Sequence, residues 1–198
     1  MSIGAVRDNL ATATDDENAA EEARQVPPRT GCHNREVLRV TNCEATVRWT
    51  RQGNERFLDN RYSRAHEWAF DGGARIHASA SPHVVRLPFS DPSGVDPEEA
   101  FVAAIASCHM LFFLSFAARQ GFTIDSYDDN AVGVLSKGAD GREWMTKVTL
   151  RPHVVFSGDT RPTAAKIDAL HHESHVACYI ANSVKTDIVV DAESTGLR

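Results

Sequence analysis

An α+β domain, an antiparallel sheet packed on one long buried central helix, is predicted for this 198-residue chain by three observations. The first is a 19-residue stretch, Ala100 to Ala118, that contains no Asp, Glu, Lys or Arg. A helix apolar on all sides is expected to be buried on all sides. The second is a set of short alternating segments, bounded by turn residues, on both sides of that stretch. The third is their order. Strands, a long helix, strands, helices and a last strand do not alternate as a parallel α/β sheet requires.

The elements follow in turn. Residues 1–36 are polar, acidic and aperiodic and end in Pro27-Pro28-Arg29-Thr30-Gly31. So little apolar surface cannot offset the entropy of ordering, so this segment reads as a disordered acidic N-terminal tail and residues 37–198 as the domain. Residues 44–50 place Ala45, Val47 and Trp49 on one face, as a half-buried strand does. A polar loop over 51–64 leads to strands at 66–70 and 74–79, joined through Asp71-Gly72-Gly73. Residues 81–95 are extended and punctuated by proline, and they deliver the chain to the helix. Asp96 suits an N-cap, Pro97 the first helical position, and Glu99 the third residue of a capping box. Arg119-Gln120-Gly121 supplies a basic last turn and a glycine stop. Two strands, 131–137 and 143–156, flank Gly138-Ala139-Asp140-Gly141. Helical character returns over 162–177 and, briefly, 178–184, and 186–190 closes the chain as a strand. No internal repeat is present.

Composition narrows the function. The chain carries 27 acidic against 21 basic residues, a net charge of -6, which argues against a nucleic-acid partner that needs a basic stripe. Its four cysteines are irregularly spaced and form neither a disulfide framework nor a CxxC zinc motif. Asp15-Asp16-Glu17 is the wrong chemistry for a secretory leader, so the reading is cytoplasmic, with reduced thiols unless they do redox work. The apolar helix is about long enough to cross a bilayer. Its alanines, Ser107, Cys108, His109 and Ser115, and the lack of an aromatic belt, favour a protein core over a membrane.

Two cysteines stand where chemistry is possible. Cys108 lies in the middle of the apolar helix, and Cys178 follows seventy residues later. By residue type alone each reads first as an inert core thiol and only second as a reactive one, since burial raises a thiol's pKa. Cys178 precedes a short helical piece, where a thiol's pKa is expected to fall. Cys32 and Cys43, in and beside the tail, read as incidental. His171, His175 and Cys178 fall at i, i+4 and i+7, a workable face for a transition metal, or else a polar surface over a buried cysteine. No second ligand cluster accompanies them. Phosphate-binding loops, GxGxxG after a strand and GxSxG elbows are all missing from the sequence.

The run Asp96-Pro-Glu98-Glu-Ala-Phe-Val-Ala-Ala-Ile-Ala-Ser-Cys108, followed by Val176-Ala-Cys178-Tyr-Ile-Ala-Asn182, resembles the OsmC/Ohr family. These are the osmotically inducible and organic-hydroperoxide-resistance proteins, and the likeness extends over residues 44–190. It implies an OsmC-like fold in an intertwined homodimer with its sites at the subunit interface. It also implies a thiol-dependent peroxidase that reduces organic hydroperoxides without a metal or other cofactor, its electrons drawn from a dihydrolipoyl group or a small thiol. By the resemblance, Cys108 is the peroxidatic cysteine, Cys178 the resolving one, and Glu98 the glutamate ten residues before the first. The family's arginine falls on Arg64, with Arg61 the alternative. Tyr179 and His109 depart from the pattern, standing where proline and an aromatic are common.

The chemistry suits those residue types. The thiolate attacks peroxide oxygen, and a cysteine mid-helix gains little from the helix N-terminus. An arginine, always charged and forked, can hold the thiolate and the peroxide oxygens together. Glu98 lies ~15 Å along the helix axis from Cys108, so it orients the arginine rather than touching sulfur. Ile105, Met110, Leu111, Phe112 and Phe113 are expected to wall an apolar pocket. The alternative is a non-catalytic OsmC-like protein that binds an apolar small molecule in the interfacial cleft.

Overall fold

Residues 40–192 are described by a computed structural model, and the acidic tail over residues 1–36 lies outside them. The elements run β1 (Ala45–Arg48), β2 (His66–Phe70), β3 (Arg75–Ala78), α1 (Pro97–Arg119), β4 (Thr123–Asp129), β5 (Val132–Lys137), β6 (Glu143–Leu150), β7 (Pro152–Ser157), α2 (Ala164–Ala177), a 3-10 turn (Ala181–Ser183) and β8 (Asp187–Val190).

Strands β1, β2 and β3 form an antiparallel meander, with Val47 opposite Trp68 and Trp68 opposite Ile76. The loop after β3 then lies back on it. The Ser79 N–H donates to the Val95 carbonyl at 3.1 Å, and the Val95 N–H to the His77 carbonyl at 3.0 Å. This fixes the start of α1, where the expected capping box forms. Asp96 Oδ1 accepts from the Glu99 N–H at 2.8 Å and Glu99 Oε2 from the Asp96 N–H at 3.2 Å. Such a cap contributes about 1 kcal/mol.

Strand pairing behind α1 differs from expectation in three places. The 143–156 segment is two strands, broken at Arg151: β6 pairs with β5, and β7 with β4. Pro152 makes the break, because it has no N–H and is tolerated only as the first residue of the new strand. The partner β4, Thr-Ile-Asp-Ser-Tyr-Asp-Asp, was hidden by its three aspartates; Ile124, Tyr127 and Asp129 are the positions it half-buries. The closing strand β8 pairs parallel to β6, so the sheet is mixed there.

Two apolar clusters pack against α1. Ile105 joins Val148 and Leu150 over the β5–β6–β8 sheet, whereas Phe113 and Ala117 join Val154, Phe156, Ile167 and Leu170 between the β4–β7 ribbon and α2. Within one chain the expected burial of α1 is met on one side only. One stripe, Ile105, His109, Phe113 and Ala117, is buried within the chain, while Leu111 is 60% exposed. The elements of a single domain of this size cover one side of the helix. By length and composition α1 also qualifies as a membrane span, but its buried stripe packs as a core helix does.

Candidate active site

The contact between α1 and α2 brings together the two cysteines that the sequence singled out. Cys108 is half-buried on α1, and Cys178 is the C-cap of α2, 1% exposed. Their thiols lie within hydrogen-bonding reach of each other. Asn182 secures the turn after α2, its amide donating to the Val176 and Cys178 carbonyls at 2.8 and 2.9 Å. The Ala181 N–H donates to Cys178 Sγ at 3.3 Å. That bond favours a thiolate, but burial and the hydrogen bond with Cys108 outweigh it and push the Cys178 thiol up to about 11. The expected fall is therefore corrected: the following 3-10 turn is short, and desolvation wins. At neutral pH Cys178 keeps its proton.

Arg64 lies elsewhere in the chain. Its Nη1 donates to the Asn60 and Tyr62 carbonyls, at 2.9 and 2.5 Å, and its guanidinium stands 3.7 Å over the Tyr62 ring. Trp49, Phe57 and Tyr62 form a cluster with centroid separations of 4.6 to 5.8 Å. With Val47, His66 and Pro97 they line a cavity of about 480 Å³ into which Arg64 also faces. Pro97 lines that cavity, whereas its neighbour Glu98 lines a larger one, about 790 Å³, with Val102, Ala106, Leu135 and Met145. Among the described residues, no hydrogen bond or ion pair joins Arg64 to Cys108 or to Glu98. Arg61 is exposed and 4.0 Å from Asp59. The aromatic cluster was missed because its residues are scattered through a stretch that reads as polar loop; Phe57 and Tyr62 were the available signal.

The apolar wall expected around Cys108 is only partly there. Ile105 and Phe113 turn into the two cores, and Phe112 packs edge-on against Tyr179 at 5.2 Å. Met110, Leu111 and Phe112 remain outside both cores.

The metal face is not assembled either. Cys178 lies beyond the end of α2 and is engaged with Cys108, whereas His171 is turned toward His109, their Nδ1 and Nε2 3.0 Å apart. Among the described residues, no group of three or more His, Cys, Asp or Glu is placed to hold a metal ion. The sequence offers no sign of the His109–His171 pair, because 62 residues separate them.

Comparison with known proteins agrees with the fold. The family model described as OsmC-like protein matches residues 90–193. An OsmC-like protein of unknown function from Vibrio cholerae is similar over 77% of this chain and 99% of its own, at 55% identity and a TM-score of 0.75. An OsmC-like protein from Mycoplasma pneumoniae is 16% identical, covers 79% of this chain and 97% of its own, and has a TM-score of 0.58. An organic hydroperoxide resistance protein OsmC from Legionella pneumophila is likewise 16% identical over 77% of this chain and 96% of its own, with a TM-score of 0.50. No curated protein sequence matches the chain.

Proposed function

Because this chain belongs to the OsmC-like protein family and sets two thiols against each other, we propose that it is a thiol-dependent peroxidase acting on organic hydroperoxides. The observation that carries the reading is the Cys108–Cys178 contact. Two thiols brought together from distant parts of a chain are poised for disulfide chemistry, and similarity to a hydroperoxide resistance protein supports peroxide as the oxidant.

The steps balance. The Cys108 thiolate attacks the outer peroxide oxygen, the O–O bond breaks, and the alkoxide takes a proton to leave as an alcohol. Cys178 then displaces the hydroxyl of the Cys108 sulfenic acid. An S–S bond forms, an S–O bond breaks, and water departs with the Cys178 proton. A dithiol, a dihydrolipoyl group or a small thiol reagent, reopens the disulfide and is itself oxidised. A cytoplasmic setting would keep both thiols reduced between turnovers.

The cation is supplied by a second copy. Within one chain Arg64 faces its own aromatic cavity, and α1 leaves apolar surface open beside Cys108. An intertwined homodimer that lays α1 of one copy against the other closes that surface and carries Arg64 to the thiolate. Glu98, beside the Pro97 that borders Arg64's cavity, orients the guanidinium.

The test is a thiol titration. One equivalent of cumene hydroperoxide should lower the titre from four thiols per chain to two, and dihydrolipoamide should sustain peroxide loss. The preference over hydrogen peroxide should exceed tenfold in kcat/KM, since each buried methylene contributes about 0.8 kcal/mol. An unchanged titre would favour the other reading, a non-catalytic protein that binds an apolar small molecule, for which the cavity of about 790 Å³ is the supporting feature.

A further inference from the structure

The stripe buried by α1 contains one polar side chain, and it stands at the junction of the two cores. Ile105 belongs to one cluster and Phe113 to the other, with His109 between them. Here His109 Nε2 lies 3.0 Å from His171 Nδ1, the rings are within 12° of parallel, and Phe113 stacks on His171 at 4.3 Å. The imidazoles are 1% and 4% exposed, and their outer nitrogens, His109 Nδ1 and His171 Nε2, are buried without partners.

A buried ring with half its hydrogen-bonding capacity unmet carries a cost that Leu or Phe would not. What the pair supplies in return is direction and distance. A hydrogen bond in a dry site weakens steeply when its partners slide or turn, whereas apolar contact tolerates both. The geometry links this to the thiols. His109 follows Cys108 directly, His171 precedes Cys178 by about two helical turns, and one helix–helix contact holds both pairs. Burial, helped for His109 by the nearby His171 and His175, lowers the two imidazoles to about 3 and about 4, despite Asp168 pulling His171 the other way. The bond therefore joins neutral rings at neutral pH.

We propose that the His109–His171 hydrogen bond is a positioning pair that sets α2 on α1 so that Cys178 meets Cys108, raising the effective concentration of one thiol at the other. The inference rests on the disulfide chemistry proposed above, but the equilibrium it concerns can be measured without peroxide. Oxidised dithiothreitol accepts two electrons and two protons from the thiols, its own S–S bond opening as the Cys108–Cys178 bond forms.

The experiment compares two kinds of full-length variant. His109→Phe and His171→Phe keep an aromatic ring and lose the bond. His109→Gln and His171→Asn place an amide where Nε2 and Nδ1 were and keep it. Each is equilibrated with graded ratios of reduced and oxidised dithiothreitol, quenched with maleimide, and read by mass spectrometry of the Cys108–Cys178 peptide. The disulfide equilibrium constant should fall at least tenfold in each Phe variant and no more than threefold in the amide variants. The double Phe variant should be no worse than either single one. A space-filling role gives the reverse order, Phe holding and amide losing. That order, or one constant for all variants, overturns the proposal. Should a Phe variant fail to fold, Met fills the same space without the bond and is judged by the same limits. Dimedone trapping in Cys178→Ser reads the peroxide step alone. Its failure would sink the peroxidase reading, and the disulfide equilibrium would still decide this one.

Discussion

Arg64 is held by the carbonyls of Asn60 and Tyr62 and by the Tyr62 ring beneath it, a cation–π contact that contributes about 0.5–1 kcal/mol at an exposed site. Lysine would keep the charge but not the fork, which holds two carbonyls here and, in the proposed dimer, would meet the thiolate as well. Arg64→Lys should lose most of the peroxidase activity, and the pH profile of Cys108 alkylation by iodoacetamide should move upward. An unmoved profile would shift the role to Arg61. The buried histidines make a second prediction. Both pKa values lie below the ordinary 6.5, His109 at about 3 and His171 at about 4. Below pH 6.5 the unfolded chain takes up protons that the folded one refuses, so stability present above that pH is lost on acidification toward 4. Each ring adds a slope approaching about 1.4 kcal/mol per pH unit. Urea unfolding at pH 7 and pH 5 should record the loss, and His171→Phe should lessen it. Equal slopes in the two proteins would contradict the assignment.

The position of α1 depends on how closely the preceding loop lies on β3. A Cβ added at Gly94 would stand 2.9 Å from the Ala78 carbonyl carbon and 3.0 Å from the Ser79 nitrogen, backbone atoms that cannot swing aside. Gly94→Ala should therefore cost about 1–3 kcal/mol and disturb the Val95 hydrogen bonds that lead into the Asp96 cap. Chemical denaturation measures the cost. A change within about 0.5 kcal/mol, as for an ordinary surface substitution, would mean that the loop is free to lift.

A single chain fully buries only the Ile105, His109, Phe113 and Ala117 stripe of α1 and leaves Leu111 open. If a second copy covers the rest, light scattering after size exclusion gives twice the 21.7 kDa chain mass. Leu111→Asp, a charge on the open face, should yield monomer and lose peroxidase activity together. The oxidised monomer should still carry the intrachain Cys108–Cys178 bond, since both sulfurs belong to one chain's α1–α2 contact. A Leu111→Asp protein that stays dimeric and active would place the subunit contact elsewhere.

Local chemistry made much of the chain legible. The limits of α1 follow from Asp96, Pro97, Glu99 and Gly121, because caps and stops act within a turn. The β2–β3 hairpin follows from Asp71-Gly72-Gly73, whereas β1, expected from its alternation to be half-buried, is exposed along its whole length; the Cys108 and Cys178 motifs pointed to the family. Relations between distant residues were not legible. That α1 buries a stripe instead of its whole circumference depends on how many elements the domain has to cover it. Whether the thiol of Cys178 rises or falls depends on its burial against Cys108, seventy residues earlier in the chain. The same holds for Arg64, turned into an aromatic cavity, and for His109, paired with His171. Short-range signals fix the torsions of neighbouring residues. Desolvation and packing act between surfaces that meet only when the chain has folded, and those surfaces settle what each cysteine, arginine and histidine faces.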